Sequence, residues 1–152
     1  MTMGIDQDIQ TKFRNEYHKA AVNVIYTFNW MTEQTKEIFA SADITPQQFN
    51  ILRILRGSLP NPLSTLQIRE RMLDKMSDTS RIVDRLIAKG FVKKGTCKTD
   101  RRLVDVMITD KGKKILEKLD LRQDEMDNVV ANLSKKEAQT LSELLDKMRG
   151  SN

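Results

Sequence analysis

The feature that most constrains the fold of this chain lies between residues 77 and 109. Four apolar residues at helical spacing come first: Ile82, Val83, Leu86 and Ile87. Gly90 then marks the end of a helix. Two short runs of β-branched and apolar residues follow, FVKKGTC and RLVDVMI, separated by a polar, basic connection. This pattern predicts a β-hairpin. A helix of residues 77–89 is therefore predicted to lead directly into two paired strands.

Three further helix starts share one local device. A hydroxyl residue at the N-cap is followed three residues later by Gln or Glu, which is the sequence pattern of a capping box. The pairs are Thr45 with Gln48, Ser64 with Gln67, and Ser134 with Glu137. Pro46 suits the first position of the first of these helices, which is predicted to end at Gly57. The segment GSLPNPL is predicted to be a loop, and Ser77 is predicted to cap the helix before the hairpin.

A long helix is predicted to precede these elements. From Ile9 to Ile38 the apolar residues are three or four positions apart, so a single helix would be about 45 Å long. Its later part keeps the alternating spacing of a coiled-coil seam: Tyr17, Ala21, Val24, Phe28, Met31, Thr35 and Ile38. A helix of this length needs a partner beyond one small domain. It is predicted to contact a second subunit, with packing inside the monomer as the alternative.

Two more helices are predicted after the hairpin. The first opens at Thr109 and carries Ile115, Leu116, Leu119, Met126 and Val129. The second begins at Lys135 and is predicted to bury Leu141, Leu144, Leu145 and Met148. The predicted fold class is mainly α with a small β-hairpin wing. Three helices followed by a hairpin with a basic tip are the order of a winged helix-turn-helix, flanked here by long N- and C-terminal helices.

The charge of the chain is distributed unevenly. Residues 63–114 hold 14 Lys and Arg against 7 Asp and Glu, whereas the rest of the chain holds 12 against 14. A concentrated positive region is typical of a face that binds a polyanion such as DNA. The helix of residues 77–89 is therefore predicted to enter the major groove of double-stranded DNA.

The predicted DNA-contacting residues lie on two elements. Those on the helices are Ser64, Ser77, Thr79, Ser80, Arg81 and Arg85. Those on the hairpin are Lys93, Lys94, Lys98, Asp100, Arg101 and Arg102. Small hydroxyl residues can approach phosphates closely, and Arg81 can pair with guanine through two hydrogen bonds. The carboxylate of Asp100 can hold Arg102 extended toward a narrow minor groove. Alternatively, Ser77 is only a cap, Arg81 a solvated charge and Asp100 a turn residue.

In these features the chain resembles the MarR family of bacterial transcription regulators. The resemblance is carried by SDTSRIVDRLIAKGFVKK (77–94), TDRR (99–102), TDKG (109–112) and LSKKEAQTLSELLDKM (133–148). It implies that residues 1–152 form one MarR-like chain, with a winged helix-turn-helix lobe at 44–109 and dimerisation helices at 8–40 and 110–150. It also implies a homodimer on a pseudo-palindromic operator, in which Asp100 supports Arg102 in the minor groove.

The resemblance also bears on regulation. Many members bind small aromatic or phenolic acids in a crevice between the dimer-forming helices and the winged helix, and the sequence leaves open whether this chain does so. The favoured interpretation is a sequence-specific regulator that acts as a repressor by occupying its operator. The main alternative is a winged helix that contacts an acidic protein partner and binds no specific DNA.

Few residues could carry catalysis or hold a cofactor. Cys97 and His18 are the single cysteine and the single histidine, so a disulfide, a thiolate-rich metal site or a catalytic histidine set has too few members. Cys97 is interpreted as a passive strand residue, with an oxidation-sensitive wing as the alternative. The chain also lacks a nucleotide-binding glycine loop. It is predicted not to be an enzyme and to hold no metal or cofactor. No apolar run approaches the roughly 18 residues of a membrane span, so a cytoplasmic protein is expected.

Overall fold

A computed structural model describes residues 4–96, 98–100 and 104–151 of the chain. The elements, in chain order, are α1 (Ile5–Asp8), α2 (Glu16–Ala40), α3 (Pro46–Ser58), β1 (Leu63–Ser64), α4 (Thr65–Arg71), α5 (Thr79–Ala88), β2 (Val92–Thr96), β3 (Val104–Ile108), α6 (Asp110–Asp120), α7 (Gln123–Asn128) and α8 (Lys135–Met148). The predicted fold class, mainly helical with a small hairpin wing, is confirmed.

The sheet has one strand more than the sequence predicted. β1, β3 and β2 lie side by side in that order, and both pairings are antiparallel. Val92 pairs with Ile108 in the predicted hairpin. Leu63, which the sequence placed in a loop, pairs with Val106 instead. Two effects favour this pairing. It gives hydrogen-bond partners to the backbone groups at the edge of β3, and it buries the Leu63 side chain.

One of the two compact units of the chain is the winged-helix unit, Glu37–Asn128. Its fully buried side chains are Ile51, Leu52, Leu55, Ile68, Leu86, Leu116, Leu119, Val83 and Val106. They come from α3, α4, α5, β3 and α6. The lobe was predicted to end at residue 109, but the unit also includes α6, because Leu116 and Leu119 complete its core. Because the side chains of Val83 and Leu86 are buried in this core, the opposite face of α5 is exposed to solvent.

The three predicted capping boxes are all present, at Thr45, Ser64 and Ser134. In each box the hydroxyl accepts a backbone N–H from the third residue, whose side chain accepts the N–H of the cap. The predicted end of α3 at Gly57 is wrong, since the helix continues to Ser58.

The helix predicted from Thr109 onward is interrupted by a turn at residues 121–122. There the N–H of Arg122 bonds to the carbonyl oxygen of Leu119 at 2.9 Å, which is the spacing of a 3₁₀ turn. The Arg122 guanidinium also lies 2.6 Å from the carboxylate of Glu37. This hydrogen bond holds the pKa of Glu37 below its usual range. The cross-helix contact helps to fix the turn, which the apolar pattern alone did not indicate.

The long helix begins later than predicted. Gln10 has a left-handed backbone, with φ of 52°, which ends the first helical segment. α2 then starts at Glu16, where the side chain of Asn15 accepts the N–H of His18 at 2.8 Å in the manner of an N-cap. The single helix predicted from Ile9 is therefore wrong at its start, although the seam residues from position 17 onward all lie on α2.

Large apolar side chains of α2 and α8 remain exposed in a single chain. On α2 they are Tyr17, Val24, Ile25, Tyr26, Phe28, Trp30 and Met31. On α8 they are Leu141, Leu144 and Met148. The prediction that the last helix buries its stripe is wrong for one chain, since α8 has no buried residue. An amphipathic pattern identifies a face to be covered but not what covers it. None of the described helices is both long and apolar enough to cross a membrane.

Candidate nucleic-acid interface

The helix that the sequence places in the major groove is α5, and its start differs from the prediction. Its N-cap is Asp78, whose carboxylate accepts the N–H of Arg81 at 3.2 Å. Ser77, the predicted cap, belongs to the preceding turn, where its hydroxyl donates to the carbonyl oxygen of Asp74 at 2.8 Å. Serine and aspartate cap helices about equally well, so the sequence could not separate these neighbours.

One face of α5 is polar and open to solvent. The exposed residues of this face are Ser80, Arg81, Asp84 and Arg85. Within the described part of the chain, neither the Arg81 nor the Arg85 guanidinium has an ion-pair partner. Both cations are therefore open to solvent, and their contact with DNA stays a prediction. The geometry can serve a polyanion, because it presents two long cations on one rigid helix.

Thr79 does not belong to this face. It lies on the same side of α5 as Val83 and Leu86, and it is only 3% exposed. Within residues 4–96, 98–100 and 104–151, its hydroxyl is the one buried side-chain polar group without a hydrogen-bond partner. The expectation that Thr79 presents its hydroxyl to DNA is therefore wrong, because helical periodicity turns the side chain into the core.

We expect the substitution Thr79→Val to stabilise the protein by about 1 kcal/mol. Valine has a similar shape and no hydroxyl, so it removes an unsatisfied polar group from the interior. Urea denaturation measures the change. Ser80→Ala is the matched control, since it removes an exposed hydroxyl and should change stability by less than about 0.5 kcal/mol. A Thr79→Val variant less stable than the wild type would show that the hydroxyl is hydrogen-bonded in solution.

Two buried polar residues position the helices of the helix-turn-helix. Asn50 of α3, 5% exposed, accepts the N–H of Leu73 through its side-chain oxygen at 2.9 Å, which holds the turn between α4 and α5. Ser64 is also buried, and its hydroxyl accepts the N–H of Gln67 at 3.2 Å. This hydroxyl is thus engaged in starting α4. The sequence reasoning missed Asn50, although a lone polar residue within the apolar run of α3 is a signal of a buried hydrogen bond.

The hairpin places its two adjacent lysines on opposite faces of the sheet. Lys93 is paired with Met107, whereas Lys94 is paired with the fully buried Val106. Because paired residues share a face, Lys94 lies on the side that packs toward the core. Its ammonium group reaches the carboxylate of Asp84 on α5 at 2.6 Å. The sequence grouped the two lysines together, but the structure separates them.

The tip of the wing is described only in part. Lys98 is exposed and Asp100 is half-buried. Arg101, Arg102 and Cys97 lie outside the described residues, so the support of Arg102 by Asp100 stays a prediction. Within the part of the chain that the structure describes, no cluster of three or more His, Cys, Asp or Glu residues could hold a metal ion.

Comparison with known sequences relates this geometry to one family. Residues 42–103 match the model of the MarR family. The HTH-type transcriptional regulator YfiV of Bacillus subtilis (strain 168) is 36% identical over 73 residues. That match covers 48% of this chain and 44% of YfiV, so the chain spans less than half of that relative's length.

Solved structures extend the likeness along most of the chain. A mutant MarR from E. coli complexed with operator DNA gives a TM-score of 0.80 at 26% identity, covering 91% of this chain and 99% of that one. A MarR-like transcription regulator from Bacillus cereus ATCC 10987 gives a TM-score of 0.78 at 20% identity, covering 89% and 96%, and this second likeness concerns the fold alone. Together with the family model matched over residues 42–103, this likeness relates the winged-helix unit of the chain to the MarR family.

Proposed function

We propose that this protein is a transcription regulator that binds double-stranded DNA, with α5 in the major groove and the wing beside it. The observation that carries the proposal is the exposed face of α5, where Arg81 and Arg85 have no ion-pair partner among the described residues. The major groove admits a helix, and arginine can pair with guanine through two hydrogen bonds. The likeness to a MarR protein complexed with operator DNA supports the same docking.

The proposed DNA contacts are a subset of the predicted ones. Ser80, Arg81 and Arg85 provide the contacts from α5, and the exposed Lys93 and Lys98 lie where phosphates flank the wing. From the sequence alone we also propose contacts by Asp100, Arg101 and Arg102, with Arg102 entering the minor groove. Ser77 is half-buried and its hydroxyl donates to Asp74, so its contribution is secondary.

We further propose that the protein acts as a homodimer joined through α2 and α8. The exposed apolar residues of these helices support this, because such faces are usually covered by another protein surface. The two copies of α5, the recognition helices, would then lie about 34 Å apart, and each would bind one half of a pseudo-palindromic operator. Occupying that operator represses transcription, and a small aromatic or phenolic ligand that favours another spacing of the helices releases the dimer.

Fluorescence-anisotropy binding to the DNA upstream of the protein's own gene tests the proposal. The wild type should prefer this duplex to a scrambled one, and its affinity should fall steeply with salt. Arg81→Ala should lose roughly 5- to 150-fold in affinity for the first duplex, which corresponds to one bidentate base contact. Arg149→Ala, which removes the same charge outside the winged-helix unit, should bind like the wild type. Equally weak binding of both duplexes at every salt concentration would favour the protein-contact alternative.

A further inference from the structure

The ion pair between Lys94 and Asp84 is the one contact between charged side chains that joins the recognition helix to the wing within the described residues. The ammonium nitrogen of Lys94 lies 2.6 Å from a carboxylate oxygen of Asp84. The side chains are 37% and 63% exposed, so the pair lies at the surface beside the proposed DNA contacts. Because an exposed ion pair contributes little to the stability of a fold, we look for a role of the Lys94–Asp84 pair in DNA binding.

Asp84 occupies an unfavourable position for an acid in a DNA-binding helix. It lies on the exposed face of α5 together with Arg81 and Arg85. A lone carboxylate on that face would repel phosphates. The ion pair of Asp84 with Lys94 is locally neutral, so the repulsion between the Asp84 carboxylate and the phosphates is largely cancelled.

Lys94 is equally unusual among the lysines of the hairpin. Lys93 points to the opposite face of the sheet and has no ion-pair partner among the described residues, whereas Lys94 is directed at α5. An unpaired lysine at this position could swing to a phosphate and add one contact that carries no sequence information. The carboxylate of Asp84 competes with the phosphates for that ammonium group.

We propose that Asp84 is a specificity-determining positioning residue, which keeps Lys94 off the DNA backbone and so limits binding to non-operator DNA. The inference rests on the proposed DNA-binding function. It replaces the sequence prediction that Lys94 contacts phosphate.

The salt dependence of binding to a duplex without an operator tests this inference. Each phosphate contact contributes about 0.9 to the slope of log affinity against log salt. Asp84→Asn frees Lys94 and should steepen the slope by about 0.9, so that the variant loses about 3.5-fold more affinity than the wild type between 50 and 200 mM salt. The double variant Asp84→Asn/Lys94→Gln should return to the wild-type slope, because the pair that it removes is neutral.

The conservative variant completes the test. Asp84→Glu keeps the charge and should keep the wild-type slope. A slope shallower by about 0.9 in the double variant would show that Lys94 already contacts phosphate and would overturn the inference. A wild-type protein without salt-dependent DNA binding would instead overturn the proposed function. Thermal melting of each variant confirms that it is folded.

Discussion

Replacing Gly112 with alanine is expected to destabilise the winged-helix unit by about 3 kcal/mol, the upper end of the usual cost of overpacking. A Cβ atom on Gly112 would lie 2.3 Å from the carbonyl oxygen of Phe91 and 2.8 Å from a side-chain carbon of Ile108. That carbonyl oxygen accepts the N–H of Thr109 at 3.0 Å, so it is held by the junction between the hairpin and α6. Because the obstruction is backbone, no side-chain rotation can relieve it.

Thermal and urea denaturation measure this effect. For a chain of this size we expect the melting temperature of Gly112→Ala to fall by about 6–12 °C. Gly57→Ala is the matched control: Gly57 lies inside α3 and nothing lies within 4 Å of an added Cβ there. Because Gly57 is the penultimate residue of α3, alanine there should raise stability by at most about 0.5–1 kcal/mol. If Gly112→Ala melted at the wild-type temperature, the close approach of α6 to the hairpin would be wrong.

Features that depend on residues a few positions apart were predictable from the sequence. The capping boxes at Thr45, Ser64 and Ser134 need only a hydroxyl and an acceptor three residues later. The left-handed residue that ends α5, Gly90 with φ of 78°, is also a local requirement. The same holds for the hairpin and for the inward stripe of α5 that includes Leu86. The winged helix-turn-helix is defined by the order of its helices and strands along the chain. Predicting these elements was therefore enough to predict the fold.

Features set by contacts distant in the chain were not predictable. Leu63 became a strand residue because β3 had an unpaired edge, and no residue near Leu63 signals this. Asp84 and Lys94 are ten positions apart, so their ion pair depends on how the hairpin folds back onto α5. Sequence reasoning therefore grouped the candidate residues on α5 and the hairpin, but it did not give the orientation or the partner of each side chain. Thr79 illustrates the limit. A shift of one position along a helix decides whether a side chain faces the DNA groove or the protein core, and Thr79 faces the core.

The substitution Phe28→Glu is expected to convert the proposed homodimer into a monomer. Phe28 lies on the predicted seam of α2 and is 68% exposed in a single chain, so its ring is available to a second copy. Aromatic residues at the centre of an interface often dominate its affinity, and a carboxylate buried there without a partner carries a large desolvation cost. A monomer holds only one recognition helix and loses the advantage of binding two half-sites at once, which corresponds to about 10²- to 10⁴-fold in affinity.

Analytical ultracentrifugation and DNA binding together separate this effect from misfolding. Asn29→Glu introduces the same charge on an exposed position of α2 that faces away from the seam, and it should remain dimeric. Phe28→Glu should keep the wild-type melting behaviour of the winged-helix unit, because its core lies within residues 37–128. It should also bind a duplex with one half-site as well as one with two, since a monomer cannot use the second. A dimeric Phe28→Glu variant with full operator affinity would place the subunit contact elsewhere and leave the exposed stripe of α2 without this role.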